Sequence, residues 1–178
     1  MLFRSLIYVN AAVYTAAGEH EPDSPYEPVL VNNGSSFSLQ NRGFSYIMHS
    51  EGITTVDFDD DDDVDVLVAN TDGGGIILWR NNGSGTFSDV TSSKITGGNN
   101  DVNGSVTTGD VDNDGDIDMY SKQGLYMNNN GTFNFDGSIG SGDHESMFFA
   151  DLDNDGDLEL ISGGVFWNDG NGNFTQDD

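Results

Sequence analysis

The chain has 178 residues, no cysteine, and a formal net charge of −26 from 31 acidic and 5 basic residues. That length suits one domain. The lack of cysteine excludes disulfides and thiol chemistry, and so acidic a surface rejects nucleic acid and anionic membranes, which need a basic footprint. No apolar run reaches the roughly 18 residues of a membrane-spanning helix, so no membrane insertion is expected.

The first segment, Met1 to Ala17, has one Arg, an apolar stretch and a small-residue end, and in this it resembles a secretory leader. Within it Leu6-Ile-Tyr-Val9 is apolar and β-prone. We read the segment as retained, with that run as a strand free to pair, either with the last sheet of its own chain or with a neighbouring chain. Next comes Val29-Leu-Val-Asn-Asn-Gly-Ser-Ser-Phe37, an apolar run, an Asn-Gly turn and a second run opening on Phe. Asn-Gly supplies the positive-φ residues that a hairpin turn needs.

Three acidic loops then follow with one spacing. They are Asp57-Phe-Asp-Asp-Asp-Asp-Asp-Val-Asp65, Asp110-Val-Asp-Asn-Asp-Gly-Asp-Ile-Asp118 and Asp151-Leu-Asp-Asn-Asp-Gly-Asp-Leu-Glu159. Each has carboxylates at positions 1, 3, 5 and 9 and an apolar residue at position 8. Each is flanked by short β-branched or aromatic runs, such as Ile53-Thr-Thr-Val56 and Met147-Phe-Phe-Ala150, which read as strands. After each loop comes an apolar strand, an Asn/Gly turn and a strand opening on Phe: Ile77 to Phe87, Leu125 to Phe133, and Val165 to Phe174.

Carboxylates crowded in this way repel one another unless a hard cation lies among them. Ca²⁺ takes six to eight oxygens at roughly 2.3–2.6 Å, and alternate residues of a tight loop can supply them. The ligands expected are Asp57, Asp59, Asp61 and Asp65; Asp110, Asp112, Asp114 and Asp118; and Asp151, Asp153, Asp155 and Glu159, with backbone oxygens from Asp63, Asp116 and Asp157. Glycine at position 6 permits the sharp bend. Asp62 stands there in the first loop, which should therefore be the most strained. These are not EF-hands: position 12 is Val68, Ser121 or Ser162 instead of Glu, and the flanks are strands instead of helices. Three bound Ca²⁺ would bring the charge from −26 to about −20. Loops of this weak type fill at roughly 10⁻⁴–10⁻³ M calcium, which favours an extracellular or surface location.

The loops open at Asp57, Asp110 and Asp151, 53 and 41 residues apart. A period of roughly 40–50 residues with four short strands per unit points to an all-β, propeller-like array of four-stranded blades, three full repeats plus a partial amino-terminal one. As one domain, 1–178, it divides into an amino-terminal strand and partial blade at 1–44 and blades at 45–96, 97–138 and 139–178. The motif Asp110 to Asp118 followed by Leu125 to Phe133 resembles the FG-GAP/VCBS repeat, which builds the integrin α-subunit propeller and many bacterial surface proteins. The resemblance implies calcium held by the acids at loop positions 1, 3, 5 and 9. It also implies propellers of more blades than this chain supplies, hence a small closed ring, an assembly of copies, or an open array.

Other features yield less. Paired carboxylates can drive glycoside hydrolysis, but identical repetition suits structure better than one active site. His20, His49 and His144 lie in unrelated contexts, and no nucleophile triad, P-loop or dinucleotide fingerprint is visible. Trp79, Tyr126 and Trp167 are read as equivalent repeat positions packing between blades, or alternatively stacking on sugars. Sequons occur at Asn33, Asn82, Asn103, Asn130 and Asn173. The reading is therefore a non-enzymatic, extracellular calcium-binding structural or adhesive protein, self-assembling as an oligomer or filament, with a glycan or a cell-surface protein as further partner. The alternative is a lectin-like module.

Overall fold

Short runs of β-branched and aromatic residues, each ended by an Asn, Gly or acidic turn, form sixteen strands and one short helix among the described residues of the computed structural model. Those residues are 6–7, 26–32, 35–45, 50–70, 75–98, 105–139 and 146–177. The first sheet holds β1 (Leu6–Ile7), β2 (Tyr26–Asn32) and β3 (Phe37–Ser45), in that order. The second is the meander of β4 (Ser50–Val56), β5 (Asp65–Asn70), β6 (Ile76–Asn81) and β7 (Phe87–Asp89). Helix α1 (Thr91–Lys94) and β8 (Ile95–Thr96) lead to β9 (Val106–Gly109), β10 (Asp118–Ser121), β11 (Gly124–Asn128) and β12 (Phe133–Gly137). The last sheet is β13 (Phe148–Ala150), β14 (Glu159–Ile161), β15 (Val165–Asn168) and β16 (Phe174–Gln176).

Two expectations need correction. The third sheet has five strands instead of four, in the order β8-β12-β11-β10-β9, because β8 pairs in parallel with β12, Ile95 beside Phe133. The pairing uses two residues, Ile95 and Thr96, within a largely polar stretch, too few to show an alternating pattern. In addition, Leu6–Ile7 pairs antiparallel with β2, Leu6 opposite Val31 and Ile7 opposite Leu30. The amino-terminal strand thus completes its own first sheet instead of closing the last one; Tyr8 and Val9 lie outside the described residues. No closed propeller forms among the described residues.

The sheets stack in chain order, with an apolar layer in each gap. Between the first and second lie Val31 and Phe44 against Val66, Val68, Trp79 and Phe87. The Phe44 ring is 5.2 Å from that of Trp79 and 4.5 Å from that of Phe87, centroid to centroid. Between the second and third, Phe58, Leu67 and Leu78 meet Met119, Tyr126 and Phe133; between the third and fourth, Val111, Tyr120 and Leu125 meet Leu160 and Phe166. Each such side chain contributes about 1.5–3 kcal/mol when fully buried, so a sheet too thin to have its own core is held by its neighbours.

Candidate metal centres

Each acidic loop bridges the first two strands of its sheet: β4 to β5, β9 to β10, and β13 to β14. The position 1 carboxylate organises the bend. Asp57 accepts from the N–H groups of Asp61 and Asp62 at 3.2 and 3.0 Å, and Asp110 from Asp114 and Gly115 at 3.2 and 3.1 Å. Asp151 accepts from Asn154 and Gly156 at 2.7 and 3.2 Å. The position 5 carboxylates, Asp61, Asp114 and Asp155, then accept from the N–H of position 7 at 2.8–3.0 Å.

Two left-handed residues make this path. Position 6 has φ of +99° at Gly115 and +100° at Gly156, but +66° at Asp62, where the side chain restricts the backbone. Position 4 is also left-handed, at Asp60 (+55°), Asn113 (+59°) and Asn154 (+64°). The Asp and Asn residues at that position were a readable signal, since both tolerate this region better than other side chains.

Position 9 is buried. Asp65 accepts from the N–H of Phe58 at 3.3 Å and of Asn81 at 2.7 Å; Asp118 accepts from Val111 at 2.9 Å and Asn128 at 2.7 Å. Glu159 accepts from Leu152 at 2.8 Å. These acids therefore clamp the loop to its own strands, and Asp65 and Asp118 also clamp it to the hairpin that follows. Burial raises Asp65 to about 6 and Asp118 to about 7, against the two N–H donors that pull each down.

The carboxylates cluster three at a time. Asp57, Asp59 and Asp61 place oxygens within 4.8 Å of one another, as do Asp110, Asp112 and Asp118, and Asp151, Asp153 and Glu159. Positions 1 and 3 are common to all three groups. Position 5 joins them in the first loop, and position 9 in the others. These all-carboxylate sets suit a hard cation such as Ca²⁺. In the first loop Asp59 Oδ1 is buried with no hydrogen-bond partner, an unmet acceptor that a cation would satisfy. Burial also raises Asp59 and Asp112 above the usual carboxylate range.

The side chains of position 7 turn to the hairpin. Asp116 accepts from the N–H of Asn130 at 2.8 Å, and a Cβ added to Gly83 or Gly170 would come 2.6 Å from a carboxylate oxygen of Asp63 or Asp157. Asp157 also accepts from Asn113 Nδ2 of the preceding loop, at 2.9 Å.

Sequence reasoning missed two sets of residues. The first is Arg80, whose guanidinium bridges Asp59 and Asp61 at 2.8 and 2.9 Å. The second is the first Asn of each hairpin: Asn81, Asn128 and Asn168. Asn128 Nδ2 donates to the carbonyl of Phe58 in the preceding sheet at 2.9 Å, and Asn168 Nδ2 to that of Val111 at 2.8 Å. Their Oδ1 atoms accept from the turn N–H groups of Gly131, Thr132 and Gly170. Asn128 and Asn168 thus shape their hairpins and join them to the preceding sheet's loop at position 2, whereas Asn81 Nδ2 donates at 3.1 Å to the carbonyl of Val64 in its own loop. Gly131 completes one joint. Its φ is +75°, and an added Cβ would come 2.8 Å from Asp59 Cβ.

Counting back from these asparagines corrects the aromatic register. Trp79, Tyr126 and Phe166 are equivalent and face the preceding sheet, whereas Trp167 stands one residue later, at the repeat position that Arg80 and Met127 hold in the other two sheets. Trp79 is 2 % exposed and Trp167 half-buried. Asn82, Asn130 and Asn173 are exposed; Asn33, Asn103, His20, His49 and His144 lie outside the described residues.

Stacked sheets joined by acidic loops and asparagine-anchored hairpins define an all-β repeat protein. Residues 57–121, which span the first two acidic loops, match the FG-GAP-like repeat family, so the chain carries an FG-GAP-like repeat there. No curated protein and no solved structure matches the chain.

Proposed function

We propose that the chain is a calcium-stapled structural or adhesive repeat module that works outside the cell, self-assembles, and is not an enzyme. The observation that carries this reading is the recurrence of a three-carboxylate cluster, built each time on loop positions 1 and 3, in three successive sheets. Each cluster sits where two strands of a sheet turn, and at the first two the next sheet's hairpin docks beside it. A cation there would neutralise the acids and fix both connections. The FG-GAP-like repeat and the weak calcium affinity of such loops support an extracellular setting. All fifteen loop residues named from the sequence keep a part in it: the carboxylates of positions 1, 3, 5 and 9 as ligands, and Asp63, Asp116 and Asp157 through their backbone oxygens.

The test is the melting temperature in excess calcium and in chelator. A site filled at about 100 times its dissociation constant adds about 2.7 kcal/mol, and three such sites approach the roughly 5–15 kcal/mol stability of a whole domain. A large fall on chelation is expected; an unchanged melting temperature would sink the staple. A second reading, a glycan-binding module, is favoured by the partial exposure of Trp167 and opposed by the burial of Trp79. A glycan array probed in calcium, with Trp167→Ala as control, separates the two.

A further inference from the structure

Each sheet turns the same positions toward the sheet that follows. Loop position 2 is Phe58, Val111 and Leu152; two residues after position 9 come Leu67, Tyr120 and Ile161. In the second and third sheets these side chains are 0–4 % exposed, because the next sheet covers them. In the fourth sheet Leu152 is 46 % exposed and Ile161 half-buried, with Phe148 beside them 51 % exposed. The backbone shows the same break in the series. The carbonyls of Phe58 and Val111 each accept from the hairpin asparagine of the next sheet. Among the described residues, no asparagine donates to the carbonyl of Leu152.

We propose that this face seats a second copy of the chain, which enters with its first sheet, β1–β3. The joint inside the chain is directional: where a sheet with an acidic loop comes before, the hairpin asparagine, Asn128 or Asn168, enters that loop. The hairpins of the second, third and fourth sheets already have a sheet packed on that side. In the first sheet β2 ends at Asn32, the sequence continues Asn33-Gly34 as in the later repeats, and among the described residues no sheet packs ahead of it. Charge selects the same partner. Two fourth-sheet faces placed back to back would bring together the acidic loops at Asp151 to Glu159. Residues 1–50 hold only 4 acidic and 2 basic residues, against 27 and 3 in residues 51–178, so the first sheet is the end least repelled. A head-to-tail contact of this kind propagates unless its rotation closes a ring.

The proposal rests on the self-assembling reading above, and on the repeat geometry instead of on calcium. It is tested by sedimentation of the full chain in saturating calcium. Wild-type protein should associate with rising concentration. The double variant Phe148→Ser, Leu152→Ser should associate about tenfold more weakly or worse and, at dilutions where both proteins are monomeric, melt at the wild-type temperature, because both side chains are exposed. Fluorescently labelled double variant, mixed with excess unlabelled wild type, should sediment faster than alone, since its first sheet is intact. A wild type that stays monomeric overturns the proposal. So does a double variant that associates like wild type, or a labelled variant that stays monomeric amid wild type. A wild type that is monomeric yet stabilised by calcium removes the docking face alone. Association without any calcium stabilisation removes the staple alone.

Discussion

The first and second acidic loops share their spacing, their carboxylate at position 1 and their buried clamp at position 9, yet their clusters gather differently. In the second loop Asp118 joins Asp110 and Asp112; in the first, Asp61 joins Asp57 and Asp59. The neighbouring strand makes the difference. One residue before the hairpin asparagine stands Arg80 in the second sheet and Met127 in the third. The Arg80 guanidinium draws Asp59 and Asp61 together, and those carboxylates in turn raise its own pKa. One loop thus has a built-in counter-ion and the other depends on what it binds. An acidic motif alone does not determine the geometry of its carboxylates; the residue facing it across the sheet does.

Four measurements would break or sharpen this contrast. Asp118→Ala should have the largest effect. It removes a cluster member and leaves the N–H groups of Val111 and Asn128 unpaired, each at about 1–3 kcal/mol. In calcium we expect a loss of about 2–6 kcal/mol by denaturant melt, together with one calcium site by titration. Asp61→Ala should remove a site at far less cost in stability.

The second effect is on pH. Asp65 and Asp118 hold their protons more tightly when folded, at about 6 and about 7, than at the ordinary 3.8. The native state therefore binds more protons between those values, and stability in chelator should fall as pH rises from about 4 to 7, by a few kcal/mol. The fall should extend about one unit higher for Asp118 than for Asp65, so Asp118→Asn should remove its upper part. A melting temperature flat across that window would contradict the burial of both acids as charged groups.

Arg80→Met, which copies the third sheet, should act less on stability, because the ion pair is partly exposed: about 0.2–1 kcal/mol in chelator. Its sharper effect should be tighter calcium binding at the first loop with the second unchanged, read by calorimetry. Weaker binding there would mean that Arg80 positions the ligands instead of competing for them. Asp62→Gly should have the smallest effect, a shift within about 0.5 kcal/mol toward stability, because it relieves a side chain held at φ +66°. Loss of calcium from that variant would make the Asp62 carboxylate itself a ligand.

The loops were legible in the sequence because their chemistry is local. Carboxylates on alternate residues and glycine at position 6 state both the ligand and the bend within nine residues. The hairpins were legible for the same reason. The joints between sheets were not. Asn128 looked fully explained as a turn residue, and nothing near it in sequence names Phe58, 70 residues away, as its acceptor. Trp79 and Trp167 were paired by their bulk, although the asparagine that ends each strand sets the register and places Trp167 on the opposite face. Arg80 pairs across the sheet with residues 19 and 21 positions before it, a separation that no motif spans.

The two halves of each joint travel together. A repeat with its hairpin asparagine at one end and its position 2 carbonyl at the other carries both plug and socket. A copy of about forty residues can therefore be gained or lost as one unit, without any compensating change on either side. Such an array can vary in length while each seam stays the same, and the sequence differences between repeats, such as Arg80 against Met127, are free to tune one loop at a time.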